Sequence, residues 1–298
     1  MISRQRDHQT CPIASALKSP ILRIDTHANP RNESILQGYN RGQPVLPRFP
    51  KTHTCLGGVT TPKSEVSMTS NLPIALAGAT LQADPHGALL WPEEATLIVA
   101  DLHLEKGSSY AGRSRPQFLP PYDTRATIER LEGLVARHDP RRVICLGDSV
   151  HDRGAAERMA PEDSRRISDL TAAREWIWIA GNHDPEPPSC WGGVVLREVA
   201  IGPVVFRHQA TDCRPEIGTA EISGHFHPTA SVSTRSGRVT GRCFASDGHR
   251  MLLPAFGAYA GGLNVLDPAI AGLFEIAFRV WVLGRSRIFA LSSAQLTN

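Results

Sequence analysis

Five apolar runs of this chain end, one after another, in side chains that ligate metals. ATLIVADLH (95–103) closes on Asp101 and His103, and RRVICLGDSVHD (141–152) on Asp148, with His151 and Asp152 behind it. EWIWIAGNHD (175–184) closes on Asn182, His183 and Asp184, GPVVFRHQ (202–209) on His208, and TAEISGHFHP (219–228) on His225 and His227. Short apolar runs bounded by polar turns read as buried strands. Between the first three lie RATIERLEGLVARH (125–138), with Ile128, Leu131, Leu134 and Val135 at helical spacing, and APEDSRRISDLTAAR (160–174), opened by Pro161. A strand–helix–strand–helix–strand order implies right-handed βαβ units and an α/β fold with parallel strands. In such sheets ligands bind beyond the carboxyl ends of the strands, where each of these polar clusters falls. One histidine or aspartate there is an ordinary solvated or core residue. Five in sequence are not.

Later segments are shorter and closer together. SVSTRSGRVTGRCFASDG (231–248) and RVWVLGRSRIFAL (279–291) have Gly237 and Gly284 where hairpin turns would fall, so the second half reads as more antiparallel. The chain of 298 residues is 41% hydrophobic and 20% charged, as soluble globular proteins are. Its formal charge of +3 permits a polyanionic partner without requiring one. Cys11, Cys55, Cys145, Cys190, Cys213 and Cys243 are scattered, with no CxxC pair, which argues against a zinc ribbon or a disulfide framework. Cys145, inside an apolar run, reads as a buried thiol. No apolar stretch is long enough to span a membrane, and the expected location is the cytoplasm. Residues 1–67 are rich in Arg, Pro, Asn and Gly and read as a disordered extension, or as lying ahead of a true start at Met68; 68–298 would form the folded domain.

Carboxylate, imidazole and amide oxygen without thiolate suit Mn²⁺, Fe or Zn²⁺ rather than a structural zinc knot. The ligands are too many for one ion and enough for two divalent ions, with Asp148 able to bridge. Paired cations about 3.5–4 Å apart clamp the attacking and leaving oxygens of a phosphoryl transfer. Gly147, Gly181 and Gly224 fit turns that let the ligands reach inward.

D-x-H, G-D, G-N-H-D, an isolated His and G-H-x-H, in this order from about residue 95 to 228, resemble the calcineurin-like metallophosphoesterases. The resemblance implies a four-layer αββα sandwich with two mixed sheets. It implies that Asp101, His103 and His227 hold one metal, that Asn182, His208 and His225 hold the other, and that Asp148 bridges. His183 would steady the phosphate or protonate the leaving oxygen, with Asp184 orienting it. His225 and His227 would then serve different metals from one strand end, residues i and i+2 sharing a face and Phe226 turned away. The spacing of His151 and Asp152 is looser than the family pattern, which leaves their roles open.

EKGSSYAGRSRPQFLPPYDT (105–124) and LLPAFGAYAGGLNV (252–265) are similar to stretches of the bacterial ligase-associated DNA-damage-response metallophosphoesterases. That narrower resemblance implies a DNA endonuclease in repair, acting on single-stranded or branched DNA, with a DNA ligase and a helicase as partners. In the first stretch Lys106, Arg113 and Arg115 alternate with Tyr110, Phe118 and Tyr122, cations for phosphate among rings for stacking. Arg207, beside His208, is a further phosphate candidate, as is Arg214, and Phe256 and Tyr259 could line the site. Each of these also reads as an ordinary loop or surface residue. Two alternatives remain. One is a small-molecule phosphatase, cyclic-nucleotide phosphodiesterase or nucleotide pyrophosphohydrolase. The other is a scaffold that keeps the fold without catalysis, although every ligand position is filled here.

Overall fold

A computed structural model describes residues 21–24, 72–110, 122–184, 186–274 and 277–298. The strands are β1 (Leu22–Ile24), β2 (Leu72–Leu76), β3 (Ala79–Ala83), β4 (Leu89–Trp91), β5 (Thr96–Val99), β6 (Arg142–Leu146), β7 (Glu175–Ile179), β8 (Val194–Leu196), β9 (Glu198–Ile201), β10 (Val204–Arg207), β11 (Ala220–Ser223), β12 (Pro228–Thr234), β13 (Gly237–Ser246), β14 (Arg250–Leu252), β15 (Leu263–Asn264), β16 (Arg279–Leu283) and β17 (Ile288–Ser292). The helices are α1 (Lys106–Tyr110), α2 (Asp123–His138), α3 (Ala155–Arg158), α4 (Pro161–Ala172) and α5 (Pro268–Ala271).

Strands β2 to β8 form one sheet in sequence order, antiparallel from β2 to β5 and parallel from β5 to β8. The second sheet runs β1-β9-β10-β11-β14-β13-β12-β15, with β16 and β17 branching from β13. It too is mixed: β11 is parallel to both β10 and β14, while β13 is antiparallel to β12, β14 and β16. The second half is therefore less antiparallel than its short segments imply, because the loops around β11 carry the chain back before each new strand. The hairpin turns expected at Gly237 and Gly284 are present.

The two sheets pack face to face. Ile98, Ile144, Ile177 and Leu81 of the first meet Phe206, Ile222, Phe244 and Met251 of the second in one buried core. The alternate residues Leu97, Val99, Val143, Cys145, Trp176 and Trp178 face outward into a second core, under Ile128, Leu131, Leu134 and Val135 of α2 and Ile167 of α4. Burial on both faces is why these strands read as unbroken apolar runs. Cys145 and Cys243 are fully buried, and burial pushes both thiols well above the usual range. The outer face of the second sheet is covered more thinly, by α5 and Phe274 and Phe278 against Cys243, Leu252 and Val280. This is the expected sandwich of two mixed sheets between helical layers, one layer being a single turn of helix.

Helix α4 starts with Pro161 at its first turn, and α2 covers the expected segment. Of residues 1–67, Leu22–Ile24 lie parallel to β9 as an edge strand; apart from Ile21 before it, the rest of that stretch lies outside the described residues. Among the described residues no helix is long and apolar enough to cross a membrane.

Candidate metal centre

Both sheets deliver their ligands at one end through bent backbone. Asp101 (φ 53°), His103 (44°), Asp148 (46°), His225 (69°) and His227 (47°) are all left-handed, as is Glu105 (64°). Non-glycine residues persist in this region only where the surroundings over-determine them, and they cluster at functional sites. His225 and His227 therefore do not share a face by strand alternation. They sit in a turn between β11 and β12, closed by Phe226 N–H donating to the Gly224 carbonyl at 2.9 Å. The expected strand geometry is corrected here: the left-handed backbone, not a period of two, separates their side chains.

They do part toward two clusters. His227 Nε2 is 3.2 Å from His103 Nε2 and 3.4 Å from Asp101 Oδ1. His225 Nδ1 is 2.9 Å from Asn182 Oδ1 and 3.2 Å from His208 Nε2. Asp148 stands between, with Oδ1 3.5 Å from His208 Nε2 and Oδ2 3.9 Å from His103 Nε2. The ligand atoms of Asp101, His103 and His227 lie within 4.8 Å of one another, as do those of Asp148, His208 and His225. Phe226 turns away and packs on the core outside the second sheet.

The chemistry of the donors fits cations. His208 Nδ1 donates to the Leu146 carbonyl at 2.9 Å, so in the neutral ring Nε2 carries a lone pair. That lone pair faces the Asn182 amide oxygen at 2.8 Å, acceptor against acceptor. Burial, reinforced by His227, His183 and Lys106, lowers the pKa of His103 to about 2, so its ring is neutral. Its Nε2 and that of His227 share at most one hydrogen. A supporting bond of the His208 kind, ring N–H to carbonyl, is the usual way a metal-ligating imidazole is oriented. The carboxylates are oriented too: Asp101 accepts the His225 N–H at 3.0 Å, and Asp148 Oδ1 accepts the His183 N–H at 2.9 Å.

The three motif glycines are needed for proximity. A Cβ on Gly147, which is also left-handed at φ 77°, would fall 2.3 Å from His208 Nδ1. One on Gly181 would fall 2.2 Å from Asp148 Oδ1, and one on Gly224 2.5 Å from Asp101 Oδ2.

His183 lies at the mouth of the cluster, its ring edge-on to His103 and stacked with His151 at 5.6 Å between centroids. Its Nδ1 donates to the His151 carbonyl at 2.8 Å. The orienting role expected of Asp184 is thus corrected: its carboxylate is buried beneath the turn and accepts the Val150 N–H at 3.0 Å. Burial raises its pKa to about 7. The ring of His151, whose role the sequence leaves open, joins His103 and His183 as a third cluster of donors.

The expected substrate residues divide. Lys106 heads α1 next to His103, and Tyr122, at the start of α2, is 69% exposed. Arg113, Arg115 and Phe118 lie outside the described residues. The two ends of that loop are clasped by Glu105, which accepts the hydroxyls of Thr124 at 2.8 Å and Ser108 at 2.6 Å. No local pattern marks Glu105, because its partner Thr124 is distant in sequence. Arg207 is not directed at phosphate: it pairs with Glu198 at 2.9 Å and Glu221 at 3.3 Å within the second sheet. Phe256 does not line the site either. It is fully buried, its N–H donates to Ala100 at 2.8 Å, and Gly257 N–H donates to Asp101 at 3.1 Å. This loop laces the second sheet to the D-x-H turn.

The sequence profile of the calcineurin-like phosphoesterase family matches residues 95–249, more than half of the chain. Among solved structures, the nuclease MPE of Pseudomonas putida is 29% identical and superposes with a TM-score of 0.57, over 74% of this chain and 100% of that one. The phosphoesterase Yfce of E. coli is 12% identical with a TM-score of 0.35, over 67% of this chain and 98% of that one. A search of curated proteins gave no significant match.

Proposed function

The chain belongs to the calcineurin-like phosphoesterase family, and from that premise we propose that it is a two-cation phosphodiesterase that cuts DNA as an endonuclease, with Mn²⁺ as the working metal. The observation that carries this reading is the pair of donor sets meeting on Asp148, each drawn from both sheets. In it Asp101, His103 and His227 form one set and Asn182, His208 and His225 the other. Oxygen and imidazole donors without thiolate suit Mn²⁺, with Fe and Zn²⁺ compatible with the same set. The 29% identity to a nuclease over that protein's whole length supports a nucleic acid as substrate, and DNA is the choice the loop resemblance at 105–124 and 252–265 implies.

Divalent cations held by these residues would supply an acidified water and a counter-charge for the phosphoryl oxygens. The chain's own residues do the rest. His183, anchored through Nδ1 on the His151 carbonyl, keeps Nε2 for the substrate, and in its protonated form it would deliver a proton from there to the leaving oxygen. Asp184 holds the Val150 N–H and so fixes the turn that carries that carbonyl; it positions His183 indirectly. Lys106 and Tyr122, with Arg113 and Arg115 between them in sequence, would meet backbone phosphates and bases. DNA repair in the cytoplasm, beside a DNA ligase and a helicase, is the setting this reading implies.

The test is hydrolysis with Mn²⁺ of bis-p-nitrophenyl phosphate, p-nitrophenyl phosphate and labelled single-stranded and branched DNA, for wild type and His183→Ala. Diester and DNA cleavage, lost in the variant, is the expected result. Activity on the monoester alone would remove the nuclease reading.

A further inference from the structure

Most arginines set into this fold have carboxylate partners. Arg142 meets Glu175 at 2.9 Å, Arg166 meets Glu132, Arg207 meets Glu198 and Glu221, and Arg250 meets Glu221 at 3.0 Å. Arg130 of α2 and Arg242 of β13 differ. Both are partly buried, and neither has a carboxylate within ion-pair distance among the described residues. Instead they are anchored on consecutive residues of one loop. The Arg130 guanidinium lies over the Phe256 ring at 4.9 Å, and Arg242 Nη1 donates to the Ala255 carbonyl at 2.8 Å.

The Arg242 charge is felt at Arg130, and neither guanidinium is paired with a carboxylate among the described residues to offset it. Burial and the Arg242 charge lower the pKa of Arg130 to about 10, and burial lowers that of Arg242. Such a pair is complementary to an anion that can accept from both forks, above all a phosphodiester. Its position suits one. Ala255 and Phe256 are the residues laced to Ala100, next to the metal-set residue Asp101. Arg242 is also the innermost of three arginines on the β12–β13 ribbon: residues 228–246 carry Arg235, Arg238 and Arg242 and no carboxylate. Arg235 and Arg238 are exposed toward the hairpin tip.

We propose that Arg130 and Arg242 form a phosphate subsite for the strand that continues beyond the scissile phosphodiester, with the β12–β13 ribbon carrying that strand outward. The proposal rests on the DNA reading above. A subsite of this kind contributes to binding of a polynucleotide and nothing to a small diester that ends at the metal centre.

The experiment compares wild type with Arg130→Gln/Arg242→Gln. The probes are a fluorescein-labelled oligodeoxythymidine, titrated for binding across a salt series and followed for cutting with Mn²⁺, and bis-p-nitrophenyl phosphate, for turnover. The expected result is oligonucleotide affinity lower by about tenfold and a salt slope shallower by about one, since each phosphate contact to a single strand contributes roughly 0.7. Turnover of the small diester stays unchanged, which also reports a folded site. The Arg130→Lys/Arg242→Lys chain keeps the charge and restores the slope; if the glutamine pair misfolds, single Arg130→Gln and Arg242→Gln variants give the slope separately. Equal affinity and equal slope in wild type and glutamine variants overturn the subsite. Oligonucleotide binding that needs the arginines but leads to no cutting keeps the subsite and removes the nuclease reading. Cutting and binding indifferent to the arginines do the reverse.

Discussion

His103 Nε2 and His227 Nε2 face each other across 3.2 Å, one reaching in from the first sheet and the other from the second. One hydrogen at most lies between them, and whichever Nε2 holds it has no lone pair left to offer the site. A cation that takes the lone pairs of both ties the sheet ends together. Divalent metal should therefore stabilise the fold. At a Mn²⁺ concentration about a hundredfold above its dissociation constant, linkage adds about 2.7 kcal/mol per site. Thermal unfolding in Mn²⁺ and in EDTA measures this, and an unchanged Tm would contradict it.

His183→Ala removes a ring that hangs at the mouth of the cluster. The backbone N–H that orients Asp148 remains. Turnover should fall by roughly 10²–10⁴-fold, the usual range for a general acid, while Mn²⁺ content by metal analysis stays near wild type. Asp148→Asn should lose metal as well as activity.

Gly181→Ala and Gly133→Ala are opposite experiments on the same residue type. At Gly181 the new methyl would collide with Asp148, displacing the shared carboxylate and destabilising the protein by about 1–3 kcal/mol. Gly133 is exposed on α2, and nothing lies within 4 Å of the place its Cβ would take. There alanine should stabilise by about 0.5–1 kcal/mol through helix propensity. Denaturant melts of the two variants give both signs.

Asp184 carries a pH dependence of definite sign. Its carboxyl titrates near 3.8 when unfolded and near 7 when folded, because burial disfavours the charge. The folded state therefore binds the extra proton between those values, and stability falls as pH rises from about 4 to 7. In metal-free protein, Asp184→Asn should flatten this fall, changing the difference from wild type by about 4 kcal/mol at most over that interval. Urea midpoints across pH check it.

Much of this was legible along the chain, and what was not has a common cause. The parallel strands declared themselves because Leu97 and Ile98, or Val143 and Ile144, are buried on opposite faces of one sheet. The candidate donors stand out because Asp101, Asp148, Asn182, His208 and the final histidine pair each follow such a strand. Side-chain pairing across the fold did not. Arg207 is committed to Glu198 and Glu221 only because β9, β10 and β11 lie side by side, and Asp184 turns inward because Val150 waits beneath it. The turn at His225 and His227 looked like strand because alternation cannot reveal a left-handed backbone. Arg130 and Arg242 look like surface charges until Ala255 and Phe256 bring them together.

Each donor set takes members from both sheets: Asp101 and His103 need His227, and Asn182 and Asp148 need His208 and His225. Neither sheet alone owns a complete set. A folding intermediate with one sheet formed would carry fragments of two sites and hold neither ion firmly. Tight metal capture would then come last in folding, as a chemical signature that the two halves have docked in register, and a chain damaged anywhere in the sandwich would be silenced at its chemistry before it lost its shape.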